Sequence, residues 1–349
     1  MYVADLTSLT YTVLDEHGDR VKVRNRGREV WLAKDDAVSL EDAIPYFTRK
    51  ISADDKDMWA YLYRATAWVE KGAFNKAIAD YDEAVRLEPE NAAVYCVRGC
   101  GYAMKKEYDK ASADFTAAIC LGLQTAKSYS NRGAAYSENG EYAKAIADLT
   151  EAVELDSEDP IAYYNRGLAH ARNKEYGKAV ADYTQALRRD PKIARAYGGR
   201  AFAHVMRKEY DKVIRDCTAP IRLAPKDVDA YYNRAYAYAR NKEYAKAIAD
   251  CRRAVGLDPK EPNGHNNLAW LLATCPRGDL RNGKRAIEHA TKACQLTNWK
   301  TAVFLGTLAA AYAECGDFKE AARRQRKALE DAAYEKEWGR PGTAVPEVV

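Results

Sequence analysis

Apolar and aromatic residues return along this chain with a period of 34. Tyr61, Tyr95, Tyr129, Tyr163, Tyr197 and Tyr231 fall in one column, and Phe74, Tyr108, Tyr142, Tyr176, Tyr210 and Tyr244 in another. Within a period, alanines stand seven apart, as at Ala77 and Ala84, Ala111 and Ala118, Ala145 and Ala152, Ala179 and Ala186, and Ala247 and Ala254. Seven residues make two helical turns, so both alanines share a face on which small side chains let two helices approach closely. Each period therefore predicts a helix pair. Pro89, Pro191, Pro225 and Pro259 share a column and mark its end, because proline pushes the preceding residue out of the helical region. Read this way, the units are 58–91, 92–125, 126–159, 160–193, 194–227 and 228–261, an expanded unit at 262–301, and a last one at 302–335. No such pair buries its apolar face alone, so the pairs must stack into a solenoid with a continuous core.

Flanking segments depart from the period. Ser39–Ser52, with Ala43 and Phe47, reads as an unpaired second helix, so residues 39–57 are expected to cap the first full unit. Residues 1–38 alternate apolar and polar positions at Tyr11–Leu14, Arg20–Arg24 and Glu29–Leu32, separated by turn residues, which predicts a small antiparallel β module. Beyond 335, Lys336–Val349 carries Pro341, Gly342 and Pro346 and is expected to be a disordered tail.

Segments such as Tyr163-Tyr-Asn-Arg-Gly-Leu-Ala and Glu175-Tyr-Gly-Lys-Ala-Val-Ala-Asp-Tyr resemble the two helices of the tetratricopeptide repeat. The resemblance implies an all-α fold, an α-α superhelix, with residues 58–335 as eight repeats. It also implies a protein or peptide partner held on the concave surface that first helices line in this family. The Val21-Lys-Val-Arg…Gly27-Arg-Glu-Val-Trp31-Leu run is similar to bacterial Src-homology-3-like barrels, shortened by a strand and with Val30 before the Trp. An alternative role follows from that likeness: a cell-envelope adaptor whose β module contacts glycan or cell-wall peptide. An unpaired β edge would otherwise offer self-association.

Composition narrows the classes. With 55 basic and 51 acidic residues the net charge is +4, too weak a field to imply nucleic acid. No apolar stretch approaches the 18 or so residues of a membrane span, and Met1–Leu14 does not read as a signal peptide. The chain as it stands is expected to be cytoplasmic, or periplasmic if an export signal precedes it. Eight cysteines without Cys-x-x-Cys predict reduced thiols, with pairing of Cys275 and Cys294 left open. No nucleophile elbow, phosphate loop or metal-ligand cluster is present, so no enzyme, metal or cofactor is expected. Arg277-Gly278-Asp279 in the expanded unit is read as an ordinary loop.

Two sets of residues stand out. Arg64, Arg98, Arg132, Arg166, Arg200 and Arg234 share a first-helix column, and Asp80, Asp114, Asp148, Asp182, Asp216 and Asp250 a second-helix column. The last two units lose both together, having Leu268 with His289 and Leu308 with Arg324. This predicts a structural Arg–Asp pair inside each of six repeats, since isolated buried charges would be costly. The peptide-binding candidates are the first-helix column Asn131, Asn165, Asn233 and Asn267, whose amides both donate and accept. Around them stand Tyr164, Phe202, Tyr232, Tyr236 and Trp270, with Lys127, Arg172, Arg195 and Arg240. The family's clamp for a terminal carboxylate is matched here only by Asn165 and Arg195, with Ser130, Ala134 and Gly199 at its other positions, which favours an internal or differently anchored peptide. His170, His204, Cys217 and Cys251 replace aromatic residues in their columns and read as core, and Pro220 should kink its helix.

Overall fold

A computed structural model describes the backbone of residues 12–17, 20–25, 28–33 and 40–338, and the side chains of residues 41–330. Three strands, Thr12–His17, Arg20–Asn25 and Arg28–Ala33, pair antiparallel in chain order. Among the described residues this ladder does not close on itself, so the barrel likeness gains no support. The glycan or cell-wall contact and the self-association edge expected of the 1–38 module rest on side chains outside the described residues.

Helix α1 (Leu40–Ala53) precedes eight helix pairs. These are α2 (Met58–Glu70) with α3 (Phe74–Leu87), α4 (Ala92–Met104) with α5 (Tyr108–Cys120), α6 (Ala126–Glu138) with α7 (Tyr142–Leu155), and α8 (Pro160–Arg172) with α9 (Tyr176–Arg189). They continue as α10 (Ala194–Met206) with α11 (Tyr210–Leu223), α12 (Val228–Arg240) with α13 (Tyr244–Leu257), α14 (Pro262–Thr274) with α15 (Gly283–Leu296), and α16 (Ala302–Glu314) with α17 (Phe318–Trp338). The extra residues before α15 form a loop with one 3-10 turn at Gly278–Leu280. Helix α17 carries on past 335 to Trp338, and the remainder of the expected tail lies outside the described residues. Helix α11 is continuous through Pro220, which is buried.

The chain divides into two compact units, Met1–Arg189 and Asp190–Val349. In the first, α1 packs on α2, each first helix packs on its own second helix, each second helix packs on the next first helix, and α6 also touches α4 and α8. In the second, α10 to α17 repeat the pairing of each helix with the next in the chain, and α10 touches α12 as α14 touches α16. The alanines at 77, 84, 111, 118, 145, 152, 179 and 186 are fully buried, as the seven-residue spacing requires. First helices are capped by Asp57, Asn91, Thr125, Asp159 and Asp227, whose side chains accept from backbone N–H groups that have no helical partner. Helix α10 starts at Ile193 without such a side-chain bond.

Two backbone details set the spacing inside a pair. The turn between its helices needs a left-handed residue, supplied by Gly72, Gly140 and Gly316, and by Lys106, Lys174, Lys208 and Lys242. In α6, a methyl group added at Gly133 would lie 2.7 Å from Leu149 Cγ and 3.1 Å from the Ala145 carbonyl oxygen. Only glycine allows the two helices to lie so close there.

Candidate functional site

The arginine and aspartate columns meet inside all six repeats. Each Arg Nε donates to Asp Oδ2 and each terminal nitrogen to Oδ1, at 2.6 to 3.0 Å, for Arg64 with Asp80, Arg98 with Asp114, Arg132 with Asp148, Arg166 with Asp182, Arg200 with Asp216 and Arg234 with Asp250. Such a two-pronged contact matches the flat guanidinium to the carboxylate and fixes their relative orientation. The aspartates are buried and the arginines half-buried. The carboxylate contact raises the already high pKa of Arg64, Arg98, Arg132, Arg166 and Arg234. A tyrosine three residues earlier lies against each guanidinium, as Tyr95 does at 5.5 Å from Arg98 and Tyr129 at 5.6 Å from Arg132.

A further contact was not anticipated from the sequence. The remaining nitrogen of the guanidinium donates backwards to the preceding second helix: Arg64 to Thr48, Arg132 to Thr116, Arg166 to Thr150 and Arg234 to Thr218, at 3.2 to 3.5 Å. Arg98 makes the equivalent bond to Asp82 at 2.8 Å. The threonine spacing of 34, sixteen positions before each arginine, was the available signal. Thr48 belongs to α1, so that helix caps the first repeat with a hydrogen bond as well as with apolar contact.

The peptide-binding candidates lie on first helices, where they divide between the two units. In the first unit, Asn131 and Asn165 are half-buried, and their amides reach back to Cys100 at 3.8 Å and Ser130 at 3.5 Å. Tyr164 is half-buried beside Tyr183, and Lys127 is exposed. Arg172 is more tightly engaged than the sequence suggested: it donates to the Ser137 carbonyl and hydroxyl and pairs with Glu138 at 2.8 Å. It closes the C-terminal end of α6 and is not a free cation.

In the second unit, Asn233 is exposed and Asn267 half-buried. Phe202 and Trp270 are 52% and 42% exposed, large apolar surfaces for residues of their size. Arg195 is exposed, while Arg240 is exposed with its Nε 3.2 Å from the Tyr210 hydroxyl, which also has Tyr236 against its ring. Tyr232 corrects the expectation. Its hydroxyl is buried without a hydrogen-bond partner, close enough to Gly264 that a Cβ there would lie 2.0 Å away. Burial raises its pKa, and it packs one repeat on the next where the sequence reading had a ligand contact.

The core substitutions follow burial. Cys217 and Cys251 are buried, which pushes both thiols up to about 12 and leaves them unreactive at neutral pH. Cys275 and Cys294 are free buried thiols. His170 and His204 are buried with Nδ1 2.6 Å from Glu175 and Glu209. Among the described residues no group of three metal-ligating side chains occurs, and no helix is long and apolar enough to cross a membrane.

Comparisons with known proteins accord with this geometry. Family models described as tetratricopeptide repeat match residues 130–192 and 175–212, 228–261, and 301–333. Among solved structures, a tetratricopeptide repeat protein from Parabacteroides merdae is similar at 25% identity, covering 73% of this chain and 98% of that one with a TM-score of 0.51. The C-terminal part of a repeat-containing protein from Cytophaga hutchinsonii is similar at 24% identity, covering 66% of this chain and 94% of that one with a TM-score of 0.52. A fragment of MamA from Desulfovibrio magneticus shares 29% identity over 50% of this chain and 95% of its own, with a TM-score of 0.45. No curated protein sequence matches. The helix pairs over 130–212, 228–261 and 301–333 match tetratricopeptide repeats, and the remaining pairs share their helix–turn–helix architecture.

Proposed function

We propose that this protein is a noncatalytic scaffold that binds an extended peptide or a partner helix along its first helices. The observation that supports this most directly is the second unit's row of Asn233, Asn267 and Trp270, with Phe202 nearby in sequence order on α10. Asn233 is exposed between half-buried Tyr232 and Arg234, and Trp270 is exposed beside buried Ala269. An amide that can donate and accept suits a peptide backbone, and exposed aromatic rings are characteristic anchors at interfaces. Arg195 and Arg240 add positive charge, so a peptide with acidic residues is the preferred partner. In the first unit Asn165 and Tyr164 offer the same chemistry with less exposed surface. Repeat proteins of this kind act by presenting a surface, and the arrangement of side chains supplies no nucleophile with an adjacent base.

A random peptide library selected on the full chain tests the reading. Selected sequences should share an acidic and an apolar position and bind with Kd of about 1 μM. The Asn233→Ala/Asn267→Ala/Trp270→Ala variant should keep its thermal midpoint and lose at least about tenfold in affinity, or about 1.4 kcal/mol. Equal binding by the folded variant would place recognition elsewhere.

A further inference from the structure

The ninth position of each repeat forms a first-helix column whose character changes along the chain. In the first unit it holds Thr66, Cys100, Ala134 and Leu168; in the second it holds Phe202, Tyr236 and Trp270, then Ala310. The three aromatic residues therefore stand at equivalent heights on α10, α12 and α14. Phe202 and Trp270 are exposed, and Tyr236 is half-buried with its ring centre 6.3 Å from that of Tyr210. The surface beside them is open as well. On α10, Gly198 lies exposed one turn before Phe202, where an added Cβ would meet nothing within 4 Å, and Met206 lies exposed one turn after it.

Spacing selects what can lie across these rings. Helix α10 touches α12, and the Tyr232 hydroxyl of α12 lies against Gly264 of α14. Helices in contact hold their axes about 8–10 Å apart, which sets the distance from one ring to the next. A polyproline II helix has three residues per turn and rises about 3.1 Å per residue, so it returns the same face to a surface about every 9 Å. A β-strand does so about every 7 Å and an α-helix about every 5 Å, so neither meets successive rings with successive contacts.

We propose that Phe202, Tyr236 and Trp270 form a ladder for a polyproline II peptide of the pattern Pro-x-x-Pro-x-x-Pro, one proline ring on each aromatic side chain. The inference rests on the peptide reading above and names the class of its ligand. Hydrogen bonding fits that class. Proline has no N–H, and the polyproline II backbone makes no internal hydrogen bonds, so such a ligand offers carbonyl acceptors and the groove must donate. Asn233 and Asn267 stand one turn before Tyr236 and Trp270, each with an amide that donates, and Arg240 stands one turn after Tyr236. Charge fits an acidic version of the peptide. Arg200 and Arg234 are held by their own aspartates, which leaves Arg195 and Arg240 exposed against Asp229, the one exposed carboxylate on α10, α12 and α14. Acidic residues at the x positions or flanks complement that positive margin. A ligand whose backbone is already ordered also loses less conformational entropy on binding.

Fluorescence anisotropy of the full chain with a labelled peptide of ten prolines flanked by aspartates tests this. Saturable binding is expected, at least about tenfold tighter than for a peptide of alternating Gly and Ser with the same flanks. Period is tested by two further peptides with those flanks: Pro-Gln-Gln-Pro-Gln-Gln-Pro should bind more tightly than Pro-Pro-Pro-Gln-Gln-Gln-Gln. Phe202→Ala/Trp270→Ala changes two exposed side chains and should keep the thermal midpoint while losing at least about tenfold in affinity for the proline peptide. Should that variant fail to fold, Phe202→Leu/Trp270→Leu, which keeps apolar bulk without the ring faces, decides in its place and should lose about fivefold or more. The proposal is overturned by no saturable binding of the proline peptide at millimolar concentration, by equal binding of the Gly-Ser peptide, by equal binding of the two glutamine peptides, or by unchanged affinity in the folded variant. Library peptides without proline that still depend on Asn233, Asn267 and Trp270 would overturn the polyproline assignment and leave the peptide groove standing. Library peptides indifferent to those three residues would overturn both.

Discussion

The first six repeats and the last two solve the same packing problem with different chemistry. Both must hold two helices together at the centre of a pair. In the first six, a bidentate Arg–Asp contact sits at that point, braced by a tyrosine ring. In the eighth, Leu308 joins Cys294, Phe304, Leu305 and Ala328 in an apolar cluster. Its Arg324, in the aspartate column, lies over the Trp299 ring at 5.2 Å. The seventh falls between, with Leu268 buried and His289 paired to another histidine. The apolar version shows that the fold does not need the charge. What the ion pair adds is direction, since a guanidinium fork accepts only one orientation of a carboxylate whereas a leucine packs in several.

The comparison can be broken most severely by removing one partner. Arg132→Leu leaves Asp148 buried beside no cation and should cost about 3–5 kcal/mol in urea unfolding. Arg132→Leu/Asp148→Leu imitates the eighth repeat and should recover most of that loss; a double variant as unstable as the single one would show that the pair is needed for its own sake. Smaller effects should follow from the close approach of the helices. Gly133→Ala drives a methyl group against Leu149 and a backbone oxygen and should cost about 1–3 kcal/mol. The equivalent position of the seventh repeat, Ala269, is fully buried and already carries that methyl, so Ala269→Gly should cost about 1 kcal/mol through helix propensity and lost packing. If Gly133→Ala stabilises the protein instead, α6 and α7 have room for the methyl group that Ala201 and Ala235 already carry in two other ion-paired repeats.

Acidification separates the regions by the smallest amount. In the seventh repeat the folded state holds the His289 pKa below 6.5, chiefly by burial and then by His265. Its contribution to stability is therefore complete above about pH 6.5 and is lost as pH falls through the lowered folded value. Hydrogen exchange of α14 and α15 should quicken between neutral pH and that range. Amides of α6 and α7, held by Arg132 and Asp148, should keep their protection over the same range. Uniform loss of protection along the chain would remove this distinction.

Much of the helical array was legible because its signals repeat. A single Tyr129 says little, but six tyrosines 34 apart specify a column, and the joint disappearance of arginine and aspartate after 261 pointed to their contact. The reach of each guanidinium to Thr48, Thr116, Thr150 or Thr218 was equally periodic. It went unread because threonine in a helix has many innocent explanations, including the bonds those residues make to carbonyls four positions earlier. Individual binding candidates were harder. Tyr232 and Tyr236 lie four residues apart on one helix, yet the first buries its hydroxyl against Gly264. Only the absence of a side chain in the next repeat, at a position no column marked, makes room for it. The histidine pair was hidden for a related reason: His265 and His289 are 24 residues apart, across an insertion that breaks the period.

The backward bond of each arginine has a consequence for how such a chain can change length. Arg64, Arg98, Arg132, Arg166 and Arg234 each take a carboxylate from their own repeat and a second acceptor from the helix before, so this polar wiring recurs at shifts of 34 residues. Duplication or excision of one whole repeat between equivalent points returns each arginine to an identical set of partners and strands no buried charge. That freedom ends at α13, where Arg252 stands in place of the acceptor. An arginine repeat spliced after it would meet a like charge, so inherited growth of this array is permitted upstream of that helix and opposed beyond it.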